Sequence, residues 1–450
     1  MSTPSGDPVL VVGAGLAGIS AAVHLSMHGI PVCLFEQRPH GGGRAYSFAD
    51  ATTGETIDNG QHVLIPANVE TMQFLETIGS RHLLHSEEGQ EFHFHHPIRG
   101  KVHFRLPFPS TPARLLQSVL TTNLLAPLDR LRLIRGGLAL QHAMPESPEV
   151  APLSVLQWLQ LHGQSDETIR SFWEPLAVAM MNERTSFASA TLFLRCLQRA
   201  LGADHAHRSP HPASLLIPTV GLSDLFVHPA CKYISDHGGR VNFGMRVVGV
   251  VTQAGRAAGV RLANGTNQQG SAVVLAVPPW SIEELLPPAV VLPGLEKLTP
   301  SPIVSIHLWF HTNFMREASM GVIGRTIQWV FNRRVITPSA LGGGHVSCVI
   351  SAAHELTGAT NDEITSLAIA DLHAVFGTAA SEPVHSLVIR EKRATFSPRH
   401  DTESVRPNQQ TCIPNFYLAG DWTATGLPGT IESAVWSGKY CAQLITNTHR

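Results

Sequence analysis

The sequence predicts an α/β protein built on a discontinuous Rossmann-like domain, with an α+β second domain inserted between its pieces. Three observations carry that prediction. An aliphatic run, Val9-Leu10-Val11-Val12, goes straight into Gly13-Ala14-Gly15-Leu16-Ala17-Gly18. A second strand, Pro31-Val32-Cys33-Leu34-Phe35, ends at Glu36, 23 residues after Gly13. Near the other end, Asn415-Phe416-Tyr417-Leu418-Ala419 stops at Gly420-Asp421 and a small-residue helix follows.

The first two segments form a dinucleotide-binding βαβ unit in which each residue type has a physical task. Gly13 makes the tight turn, Gly15 lets a pyrophosphate reach the backbone, and Gly18 lets the helix pack closely on the strand. Leu16 and Ala17 open that helix, whose free N–H groups stabilise phosphate charge. Glu36 is placed to accept hydrogen bonds from adenosine ribose hydroxyls. A glycine triplet alone is a weak signal, since any tight strand-to-helix turn can use one; the strand, helix and acid at the right distance strengthen it.

The loop after Glu36 identifies the cofactor class. Gln37-Arg38-Pro39-His40-Gly41-Gly42-Gly43-Arg44 carries two arginines in a glycine-rich stretch. Arg38 and Arg44 can neutralise both charges of a pyrophosphate, while Gln37 and Gly43 lie along an extended ligand. That arrangement suggests FAD. At the C-terminal junction, Gly420 offers a backbone N–H to phosphate and Asp421 a carboxylate to ribityl hydroxyls. Gly429-Thr430-Ile431 starts a helix whose positive end points at the flavin's pyrimidine edge.

Cofactor segments some 400 residues apart require one FAD-binding domain closed by both termini, assigned to 7–95, 214–288 and 386–450. The substrate domain takes 96–213 and 289–385. Within it, Val304–Phe310, Ile327–Phe331 and Val346–Ser351 read as strands and Asp362–Phe376 as a helix. Glu91–His95 and Val102–Leu106 read as a hairpin, and its histidines are not expected to hold a metal because His95 and His96 point to opposite faces.

Composition sets further limits. The 450 residues are 43% hydrophobic and 15% charged, at the apolar end of globular proteins. A net charge of −2 argues against a nucleic-acid partner. Six scattered cysteines without a Cys-x-x-Cys pair indicate neither zinc nor a disulfide framework, so a cytoplasmic setting is expected. No basic leader precedes Val9, and no stretch of about 18 apolar residues predicts a membrane span.

Residues 106–144 combine many leucines with Arg114, Arg130, Arg132 and Arg135 and one acid, Asp129. The pattern suits a helical pair lying in a membrane interface, making the protein peripheral on the cytoplasmic membrane face. A core-covering hairpin with arginines in water fits the same pattern. Phe172-Trp173-Glu174-Pro175-Leu176 through Met180-Met181 reads equally as the wall of a greasy tunnel or as plain helix packing.

The order of the cofactor segments resembles the FAD-dependent amine oxidase and phytoene desaturase superfamily. Asp58-Asn59-Gly60-Gln61-His62, Phe172-Trp173-Glu174-Pro175-Leu176, Lys392-Arg393-Ala394-Thr395-Phe396 and the Trp422 after Gly420-Asp421 narrow the resemblance to the hydroxysqualene dehydroxylase family, the squalene-associated FAD-dependent desaturases. It covers nearly the whole chain. Two positions depart from the pattern: Gly429, where alanine is expected, and the bulky Trp436.

The resemblance implies an apolar triterpenoid substrate and hydride transfer from reduced FAD to hydroxysqualene, giving squalene for hopanoid biosynthesis. It also implies that Gly60, Gln61 and His62 pass the isoalloxazine ring and that the backbone at Val247 and Val248 faces the adenine. Loss of the hydroxyl as water needs a proton donor, for which Asp58 and His62 are the candidates and Glu174 and Glu432 the rivals. Two other readings stay open: a carotenoid or phytoene-type desaturase, and a non-catalytic lipid-binding protein that retains FAD. An amine oxidase is disfavoured, because no cysteine for a covalent flavin lies near Gly420-Asp421 and no aromatic pair precedes the last helix.

Overall fold

The computed structural model describes residues 6–86, 91–107, 111–201, 215–337, 342–380 and 382–448. Its first layer is a five-stranded, wholly parallel sheet in the order Phe416–Leu418, Ala272–Leu275, Val9–Val12, Val32–Phe35, Arg240–Asn242. Val9–Val12 and Ala272–Leu275 are buried along their whole length, which is why they read as unbroken aliphatic runs. Three distant stretches of chain therefore share one sheet, as the discontinuous domain requires.

Two helices lock this sheet across the termini. Leu16–Met27 follows the glycine turn and packs on Ile431–Thr448. A Cβ on Gly438 would lie 2.1 Å from the Ala17 carbonyl oxygen and 2.8 Å from the Ala21 nitrogen, so the two backbones touch there. Ser20 Oγ donates to the Val435 carbonyl at 2.7 Å beside that contact. The small residues of the last helix serve this crossing and, through Ser437 Oγ accepting from the Gly420 N–H at 2.9 Å, the Gly-Asp corner.

A three-stranded antiparallel sheet, Val247–Gln253, Arg256–Leu262 and Asn267–Gln269, hangs from the same domain. Asn264-Gly265 makes the turn between its last two strands, with the Thr266 N–H donating to Asn264 Oδ1.

The second domain is centred on a seven-stranded sheet ordered His385–Phe396, Pro300–Phe310, Gly344–Ser351, Trp329–Asn332, Ser319–Val322, Glu91–His96, Gly100–Arg105. Every pairing is antiparallel except Ser319–Val322 with Glu91–His96. The expected domain limits after residues 95 and 385 both fall inside strands of this sheet. Glu91–His96 and His385–Phe396 belong to it as whole strands because their backbone groups pair along their length. Residue 214 lies outside the described residues.

Helices cover one end of this sheet. Pro112–Thr121 and Pro127–His142 form the predicted pair, followed by Val155–Leu161, Glu174–Met181 and Ala190–Ala200. Several arginines of the pair are engaged in folding. Arg130 donates to the Leu125 and Leu120 carbonyls at the helix corner, and Arg132 pairs with Asp129 at 2.8 Å. Leu133 and Leu140 face the core, whereas five other leucines stay outside: Leu128, Leu131 and Leu138 are more than half exposed, and Leu116 and Leu120 are 43% exposed. Among the described residues no helix is long and apolar enough to cross a membrane, and no group of three His, Cys, Asp or Glu is arranged to hold a metal.

The helix crossing generates a test. Replacing Gly438 by valine forces the terminal helices apart and is expected to lower stability by about 1–3 kcal/mol, read as a lower urea midpoint at unchanged m-value.

Candidate active site

The carboxyl ends of the parallel strands face the seven-stranded sheet, and a single cavity of about 1940 Å³ runs between them. Ligand sites are commonly about 300–1000 Å³, so the space suits a large cofactor and a second large molecule together. One end is a groove in the first domain. The other is an apolar chamber in the second.

In the groove, two of the three glycines act within the fold. Gly13 has φ +101° and a Cβ there would meet the Ala276 oxygen at 2.5 Å; a Cβ on Gly18 would lie 1.9 Å from the Gly13 oxygen. Gly18 accordingly packs the helix against the turn and does not reach the cavity wall. Gly15, Leu16 and Ala17 do line it. The nearest atom to a Cβ on Gly15 is the Gly43 Cα at 3.9 Å, so the backbone there is open to a ligand.

Glu36 also lines the groove, with Oε2 accepting from the Ala14 N–H and Oε1 from the Arg38 N–H, each at 2.9 Å. Those bonds fix the carboxylate at the strand end. Gln37, Arg38 and Gly43 follow along the rim, where Arg38 is exposed. Arg44 reaches across the groove to pair with Asp421 and donates to the Ala394 carbonyl at 3.0 Å. Two cations therefore border the opening at Gly15.

Val247 and Val248 line the same groove. Their register shifts between Val247 and Gly249, which leaves Val248 without a partner in the Arg256–Leu262 strand. A bulge of this kind frees main-chain groups to meet a ligand edge. Opposite, Gly420, Asp421, Gly429, Thr430 and Ile431 close the wall, and the last helix begins at Ile431 with its N-terminus toward the cavity.

The two departures from the family pattern have local causes. A Cβ on Gly429 would lie 2.9 Å from Thr395 Cβ and 3.1 Å from Asp421 Oδ2, so alanine does not fit beside this Thr395. Trp436, partly buried, stacks on the exposed Tyr440 at 5.2 Å, away from the buried Val435 and Ser437 positions.

The chamber is apolar. Ile303, Val349, Trp329 and Phe331 form its floor, and Phe94 and Phe104 extend it along the hairpin. Val119, Leu133 and Leu138 of the exposed helical pair, with Leu176 and Met180, make the opposite wall. The Phe172 segment thus faces a cavity as well as packing helices together. With strands about 4.8 Å apart, the floor from the Pro300–Phe310 strand to the Gly100–Arg105 strand spans five intervals, about 24 Å.

Gly60, Gln61 and His62 sit where groove and chamber meet. The His62 Nδ1–H donates to the Gly60 carbonyl at 2.8 Å, leaving Nε2 with a free lone pair. Burial, partly offset by that bond and by the charge of Asp58, lowers the His62 pKa below the ordinary imidazole value. That shift favours the neutral ring, in which Nε2 carries no proton until one is delivered to it.

Asp58 does not line the cavity. Its Oδ1 accepts from Ser47 Oγ at 2.7 Å and the Leu222 N–H at 2.8 Å, so the buried carboxylate anchors the loop that carries His62. Glu174 is spent on the Thr185 N–H and hydroxyl. Glu432 lines the cavity but accepts from the Glu70 and Thr71 N–H groups and the Thr71 hydroxyl, capping the helix Val69–Thr77. Its burial raises its pKa, against the pull of those donors.

Two contributors were absent from the sequence reading. Trp280 lies between two guanidinium groups, Arg44 at 5.6 Å and Arg393 at 5.5 Å from its ring, and lines the groove with Arg393. Pro278-Pro279 after the strand Ala272–Leu275 was the available signal, because ligands gather at the carboxyl ends of parallel strands. Arg406 is the other. Its buried guanidinium donates to the Asp421 carbonyl and Thr425 Oγ1 and so shapes the loop behind the cofactor wall.

An open backbone at Gly15, two arginines, an acid at the second strand, an unpaired Val248 and a helix N-terminus fit a dinucleotide with an extended flavin half. The flavin-containing amine oxidoreductase family matches residues 16–446. The chain belongs to that family. It is 31% identical over 449 residues to a hydroxysqualene dehydroxylase of Rhodopseudomonas palustris, covering 97% of this chain and 98% of that one. It is 28% identical over 441 residues to a hydroxysqualene dehydroxylase of Zymomonas mobilis, covering 96% and 98%. In structure it resembles an oxidoreductase from Methanosarcina mazei with a TM-score of 0.75 at 17% identity, over 98% of this chain and all of that one. The protein is an FAD-dependent oxidoreductase of mixed α/β fold.

Gly15 separates binding from folding, since no protein atom crowds it. Gly15→Val is expected to fold with an unchanged melting temperature and to bind FAD at least tenfold more weakly, about 1.4 kcal/mol, measured by flavin fluorescence titration.

Proposed function

We propose that the protein reductively removes the hydroxyl of hydroxysqualene, giving squalene for hopanoid biosynthesis. The observation that carries this reading is the continuity of the groove at Gly15 with an aromatic and aliphatic chamber about 24 Å long. A hydrocarbon chain gains about 25 cal/mol for each Å² of apolar surface it buries, and the walls named above offer such surface along the whole chamber. The names of the relatives support the same substrate.

The balance of the reaction is R–OH plus a proton and a hydride giving R–H and water. FAD held along Gly15, Arg38, Arg44 and Asp421 would, once reduced by a two-electron donor, supply the hydride. The chamber holds the chain, excludes bulk water and keeps the C–O bond beside the Gly60–His62 loop. His62 Nε2 is the atom proposed to hold the proton there. Because burial lowers its pKa, the imidazolium is a stronger acid than in water, and it hands its proton readily to the departing hydroxyl. Asp58 is a positioning residue that holds the loop.

The sign of the pH dependence follows. Turnover should fall as pH rises, with an apparent midpoint below about 6.5, since the protonated form is then lost. His62→Asn should slow the reaction by about 100-fold or more and flatten this limb. Anaerobic stopped-flow reoxidation of the pre-reduced holoenzyme by hydroxysqualene, with product analysis, measures both; formation of a more unsaturated polyene instead would sink the reading.

The substrate also proposes a location. Leu116 and Leu138 are exposed yet line the chamber, so its mouth opens among the leucines of the helical pair. Docking of that face on a membrane would let a lipid-dissolved substrate enter without crossing water. Leu128→Asp with Leu131→Asp should abolish co-flotation with phospholipid vesicles while leaving the flavin spectrum unchanged.

A further inference from the structure

The floor of the chamber does not stay apolar. Along Pro300–Phe310 the alternation of a strand puts Ile303, Ser305, His307 and Trp309 on one face. Ile303 lines the chamber, Ser305 lies against Gly60, and the Trp309 Nε1–H donates to Glu55 at 3.2 Å. The neighbouring strand places Ser347 opposite His307 and His345 opposite Trp309. Ser305, His307, His345 and Ser347 are each at most 2% exposed.

Hydrogen bonds order this row from the outside inward. Glu55 pairs with Arg334 at 2.7 Å and accepts from the Trp309 Nε1–H and from His345 Nδ1. The bonds from His345 and Arg334 outweigh the effect of burial and bring its carboxyl down to about 2, so it is ionised and only accepts. The hydrogen of His345 is therefore on Nδ1. Its Nε2 then accepts from His307 Nδ1 at 3.1 Å, which leaves His307 Nε2 as an inward-facing acceptor. Burial holds His307 well below the ordinary imidazole range, in keeping with a neutral ring.

That inner end has no protein partner. His307 Nε2, Ser305 Oγ and Ser347 Oγ are all buried without a hydrogen bond, and Arg334 Nε and Thr337 Oγ1 share that condition. The first three lie on one face of two adjacent strands. Buried polar atoms in a group are ordinarily satisfied by ordered water with two to four partners. The row also ends beside the reacting loop: a Cβ on Gly60 would lie 3.7 Å from Ser305 Oγ and 3.8 Å from His62 Cε1.

We propose that ordered water held by Ser305, His307 and Ser347 links His62 to Glu55 through His307 and His345, and that this row carries the proton consumed at the chamber. The water site stands on the unpartnered atoms alone. The role of the row rests on the proton-consuming reaction proposed above. No redox change occurs in it; each imidazole takes a proton on one nitrogen and releases the proton on the other. With Glu55 ionised the hydrogens lie on both Nδ1 atoms. In the form with Glu55 protonated from solvent and both rings protonated on Nε2, the His307 hydrogen passes to water and on to His62, the His345 Nε2 hydrogen moves to His307 Nδ1 and the Glu55 proton moves to His345 Nδ1, which leaves the ionised form with both hydrogens on Nδ1. Ser305, His307 and His345 are positioning and relay residues, since none lines the chamber.

Two measurements on the FAD-loaded enzyme test this. A room-temperature structure at atomic resolution should contain water within hydrogen-bond distance of both His307 Nε2 and Ser305 Oγ. A dry contact, or a side chain filling both bonds, overturns the site. Single-turnover reoxidation of pre-reduced enzyme by hydroxysqualene in H₂O and D₂O should slow at least tenfold in His307→Asn and His345→Gln. Their solvent isotope effect should rise while the flavin spectrum and substrate affinity stay unchanged. Ser305→Ala, which keeps the packing, should show the same rise in isotope effect if the histidine variants do not fold. Wild-type rates and isotope effects in Ser305→Ala overturn the relay. Failure of the wild-type enzyme to react overturns the reaction and the relay together, and the water is then judged by the structure alone.

Discussion

Contact between the two ends of the chain governs everything else. Leu16–Met27 and Ile431–Thr448 meet with backbones touching at Gly438 and Ala17, and Arg44 pairs with Asp421 across the groove. These contacts bring the strand Phe416–Leu418 into one sheet with Val9–Val12 and set the second helix N-terminus facing the first. Without them the cofactor groove has one wall. Both contacts need close approach: a glycine where the helices cross, and a partly buried ion pair whose guanidinium is also held by the Ala394 carbonyl.

Because those contacts join residues about 400 positions apart, their geometry was not written locally, yet their presence was legible. The glycine turn, Glu36, Arg44 and the Gly420-Asp421 corner each sit in a short stretch whose strand, turn and helix pattern supports the reading, so each was legible from its own neighbourhood. Val248 shows the limit of that reading. Its usefulness arises from a register shift against Arg256–Leu262, and nothing in Val247-Val248 alone marks a bulge. The strand limits fared similarly: Glu91–His95 reads as a strand and Glu91–His96 forms one, but its sheet is decided by pairing with Ser319–Val322, a short strand with no strong alternation.

Ionisable residues were harder still, since a carboxylate has the same letter whether it donates a proton or anchors a loop. Asp58 and Glu432 illustrate this. Each sits in a motif that borders the cofactor, and each is occupied by backbone N–H groups from another segment, Leu222 for Asp58 and Glu70 with Thr71 for Glu432. The partners lie 164 and more than 360 residues away, so only the fold assigns them. His62 differs in that its one fixed bond is to its own loop, at Gly60, which leaves a ring nitrogen uncommitted at the junction of groove and chamber.

A greasy chamber and the proton that the proposed reaction consumes make opposite demands, and one sheet changes character along its strands in a way that suits both. Over Ile303, Val349 and Trp329 the face is apolar and excludes water. Two residues farther along the same strand, the face becomes serine and histidine, and the covering residues become Glu55, Arg333 and Arg334. Arg333, only 6% exposed, donates to Gln61 Oε1 at 2.8 Å and so ties the polar region to the loop that separates it from the chamber. In the proposed relay a single row of side chains crosses that partition and would bring a proton to the chamber without bringing solvent, which a cation-like reacting carbon could not tolerate. The partition follows from the strand period: because alternate residues keep to one face, changing two residues from apolar to polar alters the floor and leaves the reverse face in its own core.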